Sequence, residues 1–111
     1  MSGEVVAFVT CPQGKGEELA ALLVAEKLAA CVNLLPEIRS IYFWQGALQK
    51  DAEELLVIKT ADWLLPELKD RVKEIHPYEI PEIICLPVTD GYAPYLAWVN
   101  SSLKGRDSIS R

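Results

Sequence analysis

Between Cys31 and about Leu48 the chain is strand-forming almost without a break, and this run limits the available folds more than any other part of the sequence. Cys31-Val32-Asn33-Leu34-Leu35 begins it, Pro36 interrupts it, and Ile38–Trp44 resumes it with aromatic and β-branched residues. At ~3.3 Å per residue the stretch would reach roughly 50 Å, whereas a compact domain of ~100 residues has a radius of gyration of only ~13 Å. A hairpin built from it projects beyond its own core, with Pro36 marking a kink or bulge. Ile41, Phe43 and Trp44, together with Leu55–Ile58 of the following strand, would then expose more apolar surface than monomers tolerate, and neighbouring copies would bury it. The alternative is that Pro36 ends the ribbon early and the hairpin folds back on its own domain.

The flanking segments set the order of elements. Val5-Val6-Ala7-Phe8-Val9-Thr10, closed by Cys11-Pro12, reads as a short buried strand. Lys15 to Ala30 reads as a helix with Ala20, Leu23, Val24 and Leu28 inward. Ala21, Ala25 and Ala29 form a second row of small side chains that a sheet or a neighbouring subunit can approach. After Gly46 and the polar Gln49-Lys50-Asp51, Glu53–Thr60 supplies a third strand, apolar enough to predict cover on both faces. Asp62 is placed to cap a second helix with Leu65, Leu68, Val72 and Ile75 inward, and Pro77 stops that helix at His76. Glu82–Thr89 reads as a fourth strand, Asp90-Gly91 as a turn, and Tyr95–Leu103 as a third helix bearing Leu96, Val99 and Leu103.

The order β-α-β-β-α-β plus a terminal helix is that of the ferredoxin-like α+β sandwich, a four-stranded antiparallel sheet with two helices on one face. Its unpaired edge is a second pressure toward association. Both pressures point to a closed ring of subunits.

The 111 residues fit a single domain, 1–111, with about 104–111 as a frayed tail. With 11 basic against 16 acidic side chains the net charge is −5, which disfavours a surface for DNA or RNA. No apolar run approaches the ~20 residues of a membrane span, and Met1 leads into Ser-Gly-Glu without a basic leader. A cytoplasmic or already processed chain with no membrane partner is expected. Cys11, Cys31 and Cys85 are odd in number and form no CxxC pair, which fits reduced thiols better than a disulfide scaffold or a zinc ribbon.

Several segments together resemble the CutA family of divalent-cation tolerance proteins. They are Leu28-Ala29-Ala30-Cys31-Val32-Asn33-Leu34-Leu35-Pro36, Ser40-Ile41-Tyr42 with Trp44 and Gly46, Ile58-Lys59-Thr60, His76-Pro77-Tyr78-Glu79 with Pro81-Glu82-Ile83, and Pro87-Val88 followed by Gly91, Tyr95-Leu96 and Trp98. The resemblance covers nearly the whole chain. It implies a ferredoxin-like fold, a tight homotrimer built through the long hairpins, and kinship in shape with PII signalling proteins. It also implies a role connected with divalent metals, especially copper, and brings no established catalytic reaction. One position departs from the bacterial pattern: Val9 stands where those relatives carry a cysteine implicated in copper binding, and Thr10-Cys11-Pro12 looks more like the eukaryotic form.

Candidate ligands follow from residue chemistry. His76, the only histidine, stands at a helix C-terminus, where it either caps the helix as a protonated or well-bonded ring or serves as a metal ligand. Glu79 and Glu82 lie near Pro77 and Pro81, which rigidify their loop. Cys31 offers a soft thiolate that, with imidazole, favours copper or zinc over calcium or magnesium. His76, Cys31, Glu79 and Glu82 are therefore the expected ligands of copper or another divalent metal, none of it required for folding, and ligands from several chains could meet at a trimer interface.

Lys59, in a very apolar strand, needs a carboxylate such as Glu82 or an anionic ligand. With Tyr42, Trp44, Tyr78 and Asn33 it forms the expected ligand cleft of the alternative reading, a PII-like module that binds a small ligand or partner between subunits. Gln13-Gly14-Lys15-Gly16 offers backbone N–H groups to a phosphate, without full P-loop spacing. No nucleophile stands beside a base in the sequence pattern, and no catalysis is expected.

Overall fold

Nine residue pairs, from Glu4↔Ala61 to Pro12↔Glu53, tie the first strand to the third at the centre of the sheet. The computed structural model describes residues 3–105. Along the chain lie β1 (Glu4–Pro12), α1 (Gly16–Ala25), β2 (Cys31–Trp44), β3 (Ala47–Ala61), a single 3-10 turn (Asp62–Leu64), α2 (Leu65–Ile75), β4 (Ile83–Pro87) and α3 (Ala93–Ser101). The sheet order is β2-β3-β1-β4 with all neighbours antiparallel, which is the expected ferredoxin-like α+β arrangement.

The register assigns the two faces of this sheet. Ala7↔Ile58 and Val9↔Leu56 are fully buried and pack with Leu19 and Leu23 of α1 and Leu68 and Val72 of α2. Val6↔Lys59 and Phe8↔Val57, one residue out of phase, are only partly covered on the opposite face. Cover on both faces of the third strand, expected from Leu55-Leu56-Val57-Ile58, is thus complete within one chain on the helix side alone. α3 folds over one end of the open face, where Asn100 donates to the buried Glu4 carboxylate.

β2 and β3 run on past the core as a two-stranded arm. Leu35 pairs with Leu55 and Ile38 with Glu53, so Pro36 and Glu37 stand opposite Glu54 alone in a β-bulge, with Glu37 at φ 60°. The bulge lies on an edge strand, where a missing N–H costs no ladder bond. Gln45 (φ 52°) and Gly46 (φ 80°) close the arm as a two-residue turn of the kind that needs positive φ at both positions. The long dimension of 46 Å, against 29 and 22 Å, shows that the hairpin projects and does not fold back. Its tip leaves Ile41 64%, Phe43 74% and Leu48 53% exposed.

Some boundaries differ from those read in the sequence. α1 ends at Ala25 and not at Ala30, because Lys27 adopts φ 59° and the amides of Leu28 and Lys27 turn back to the carbonyls of Leu23 and Val24. This is a Schellman stop with lysine in the usual glycine place, sealed by Leu23 against Leu28. The buried residues of α1 are Gly16, Leu19 and Leu23; of the residues expected inward, Leu23 and Leu28 are buried and Val24 is exposed, and of the alanine row Ala21 and Ala25 are exposed while Ala29, past the helix end, is buried in the core. β3 starts at Ala47, and Gln49-Lys50-Asp51 belongs to it. β4 is trimmed to Ile83–Pro87, and Asp62 makes no side-chain cap. Lys104 is held by an ion pair to Glu67 at 2.5 Å and by its amide to Lys27 O at 2.9 Å; of the expected frayed tail, residues 106–111 lie outside the described residues.

Candidate functional site

At the root of the arm, the loop after α2 crosses the end of β1. His76 precedes Pro77 and is therefore extended, at φ −83° and ψ 138°, which ends the helix. Its ring is buried, 7% exposed, with Nε2 at 2.7 Å from the carbonyl of Thr10, while the amide of Tyr78 donates to Nδ1 at 3.0 Å. A carbonyl only accepts and an amide N–H only donates, so the ring is neutral with its proton on Nε2. Of the two expectations, the ring is here the well-bonded one, although its partners are Thr10 and Tyr78 and not the helix end, and both nitrogens pin the loop to β1.

The pinned loop brings Tyr78 over the sheet. Its hydroxyl donates to Oε2 of Glu53 at 2.7 Å, and Glu53 is 4% exposed. Burial first, and then this bond to Glu53, hold the Tyr78 phenol protonated far above the usual tyrosine range. On the arm, Tyr42 donates to Asp51, and that bond is the main reason its phenol is likewise raised. Thr10 Oγ1 lies 3.5 Å from Glu82.

These groups line a cleft of about 760 Å³ that holds Asp51, Glu53, Glu79 and Glu82 with Tyr42, Trp44 and Tyr78, and no lysine or arginine among its lining. The arrangement concentrates negative potential on a concave, partly aromatic surface, which draws cations and repels anions. Tyr42, Trp44 and Tyr78, expected in a ligand cleft, and Glu79 and Glu82, expected as metal ligands, all line this one cleft. Asp51 and Glu53 went unread, because they sat in and beside a polar stretch that resembled a loop; Ser40 joins them only through the pairing Ser40↔Asp51 that the bulge sets.

Three expected residues lie elsewhere. Cys31 pairs with Lys59 and Asn33 with Val57, so all three stand on the open face nearer α3. Lys59 lines a separate pocket of about 190 Å³ beside Tyr95 and Val6, and it forms no ion pair with Glu82 among the described residues. Burial, and then the nearby Cys31, raise the Tyr95 phenol. The proposed quartet of His76, Cys31, Glu79 and Glu82 does not assemble in one chain, and among the described residues no three His, Cys, Asp or Glu side chains converge to hold a metal. The register explains the separation: Cys31 is level with Val6 on β1, whereas His76 reaches Thr10, four residues further along.

The CutA1 divalent ion tolerance protein family matches residues 5–102. The chain belongs to the CutA1 family. The human Protein CutA is 53% identical over 106 residues, which make up 94% of this chain and 59% of that protein, so the chain spans less than two-thirds of the human relative. The divalent-cation tolerance protein CutA of Thermus thermophilus is 45% identical over 100 residues, 89% of this chain and 97% of that one. The crystal structure of CutA1 from Oryza sativa superposes with a TM-score of 0.90 at 47% identity, covering 92% of this chain and 94% of that one. Among the described residues no helix is long and apolar enough to cross a membrane.

Proposed function

We propose that this CutA1 chain is a homotrimer that takes up a divalent cation, copper included, in the acidic cleft at the root of its arm, and that it binds without catalysis. The observation that carries the reading is the clustering of four carboxylates in one cleft with no basic side chain to neutralise them. The name of the Thermus relative, a divalent-cation tolerance protein, agrees with it. Hard divalent ions bind through one or two carboxylates and keep several waters, so a chelating trio is not required. Copper(II) outcompetes other first-row ions at most nitrogen and oxygen sites. The ligand set is thus moved from His76 and Cys31 to Asp51, Glu79 and Glu82, with Glu53 behind them.

Trimerisation is supported by the bare arm and by the apolar open face, where Ile84 and Leu86 remain exposed in the single chain. Three free thiols agree with a reducing compartment such as the cytoplasm. Absence of catalysis agrees with the only histidine being bonded at both nitrogens.

The test is a copper titration of demetallated protein by calorimetry, with assembly measured by sedimentation. Stoichiometric binding that weakens about tenfold or more in Glu79→Gln/Glu82→Gln supports the site. Equal binding by that variant places the cation elsewhere.

Three aromatics in a cleft of this size favour a second reading, a PII-like module that senses a small organic ligand. With Lys59 outside and carboxylates inside, that ligand is a cation or neutral molecule and not the anion first expected. A thermal shift produced by such a ligand in the presence of chelator would favour it.

A further inference from the structure

The acidic cleft is larger and more apolar than a single metal ion needs. Its carboxylates come from two elements, Asp51 and Glu53 from β3 and Glu79 and Glu82 from the loop after α2. Among the described residues no three His, Cys, Asp or Glu side chains converge to hold a metal, so the negative charge is spread along the cleft and not gathered at a point. Asp51 accepts one phenol, from Tyr42, and Glu53 another, from Tyr78; a carboxylate has room for about four donors, and neither is saturated. Large apolar side chains stand among these charges: Ile41, Trp44 and Ile80 line the cleft and are 64%, 48% and 69% exposed.

These two features together narrow the chemistry of the occupant. An anion is repelled, and a neutral molecule leaves the carboxylates uncompensated. A single metal ion engages the carboxylates at one point and gains nothing from the apolar side chains. The ligand that matches both features carries several separated positive charges on an apolar stem. The volume of about 760 Å³ lies within the ~300–1,000 Å³ of small-molecule sites.

We propose that the cleft binds a linear aliphatic polyamine, its ammonium groups distributed over Asp51, Glu79 and Glu82 and its methylene stem laid against Trp44 and Ile80. The inference rests on the reading of the cleft as a cation site and names the class of cation. A primary ammonium offers three N–H donors to the carboxylates, and the Trp44 ring adds cation–π attraction for the same group. Selectivity follows from the spread of charge. A monoamine satisfies one carboxylate and leaves the others unpaired, whereas a polyamine meets several at once. Polyamine and divalent ion use the same carboxylates, so each excludes the other.

The experiment titrates the whole chain with spermidine by calorimetry, in chelator and at physiological ionic strength, where loose polycation binding to a chain of net charge −5 is screened. Saturable binding of one spermidine per chain is expected, about tenfold or more tighter than n-butylamine. Asp51→Asn and Glu79→Gln/Glu82→Gln should each weaken it about tenfold. Trp44→Ala should also weaken spermidine about tenfold yet leave manganese affinity, measured without chelator, within a few-fold of wild type. Carboxylates acting alone would not produce that split. Circular dichroism and sedimentation check that each variant keeps the wild-type fold and assembly, and where Trp44→Ala fails the check, Ile80→Ser on the exposed loop is expected to give the same split. Butylamine bound as tightly as spermidine, or spermidine affinity unchanged in these variants, overturns the proposal. Manganese binding without spermidine binding also overturns it and leaves the metal reading standing, whereas a cleft that takes up neither removes both.

Discussion

The amide of Gly16 donates to the Glu54 carboxylate at 2.8 Å, joining two residues 38 positions apart. Glu54 comes from β3 opposite the bulge, is buried, and supplies an anion to the first turn of α1, where backbone N–H groups have no partner of their own. The Gln13-Gly14-Lys15-Gly16 turn therefore presents its first helical amide to the chain's own carboxylate and not to a phosphate.

A Cβ at position 16 would lie 2.6 Å from Oε1 of Glu54 and 2.7 Å from Cδ1 of Leu34. Gly16→Ala is expected to destabilise the fold by about 1–3 kcal/mol through overpacking, although alanine favours helices. Glu54→Ala should cost a similar ~1–3 kcal/mol by stranding a buried amide. Urea denaturation of both variants checks this; a Gly16→Ala protein as stable as wild type would mean that Leu34 and Glu54 move aside at no cost.

How far the sequence could be read depended on where each pattern had a core to report. The apolar run Val5–Thr10 and the spacing of Leu68 and Val72 were legible because Ala7, Val9, Leu68 and Val72 pack together in the core on the helix-covered face. The end of α1 was hidden, since lysine and not glycine takes the left-handed position. The outer half of β3 was hidden for a different reason: a two-stranded ribbon has no interior, so Gln49-Lys50-Asp51 carries no apolar mark. The cleft inherited that gap. Its aromatic and loop members were legible, whereas Asp51 and Glu53 join them only through the register that the Pro36-Glu37 bulge imposes.

Cys11 supplies a pH prediction. Burial, then the Glu54 and Glu53 carboxylates, push its thiol up from 9.0 to about 11. Below pH 9 both folded and unfolded chains hold the proton, and the full contribution to stability is present. Between 9 and about 11 the unfolded chain gives up its proton first, so stability falls as pH rises through that window. Tyr78, also raised, acts in the same direction from above pH 10. Urea midpoints measured at intervals from pH 8 to 11 should decline in wild type and decline less steeply in Cys11→Ala; parallel curves would show that the thiol does not contribute. Native alkylation at pH 8 should label Cys31 and Cys85 well before the fully buried Cys11.

Tyr78 and Glu53 form a pair whose separate and joint removal should not add up. Tyr78→Phe leaves a buried carboxylate short of a donor and is expected to cost about 1–2 kcal/mol. Adding Glu53→Leu to that variant removes the stranded charge, so the double variant should be less damaged than the sum of the two single changes. A double-mutant cycle from denaturation curves decides it, and strict additivity would place the two groups out of contact in solution.

His76 separates a structural role from metal ligation. The ring donates to Thr10 O and accepts from the Tyr78 amide, so His76→Ala strands a buried carbonyl and frees the loop that carries Tyr78, Glu79 and Glu82. A loss of about 1–3 kcal/mol in stability is expected. His76→Gln, which keeps a donor and an acceptor on a longer stem, should recover part of it. A metal ligand would behave otherwise: both substitutions would weaken copper binding, and the stability of the demetallated protein would scarcely change. If the carboxylates hold the ion and the ring only braces their loop, His76→Gln should retain copper affinity within a few-fold of wild type while Glu79→Gln/Glu82→Gln does not. Calorimetric titration beside urea denaturation distinguishes the two, and a His76→Gln protein that is fully stable yet blind to copper would return the histidine to the metal.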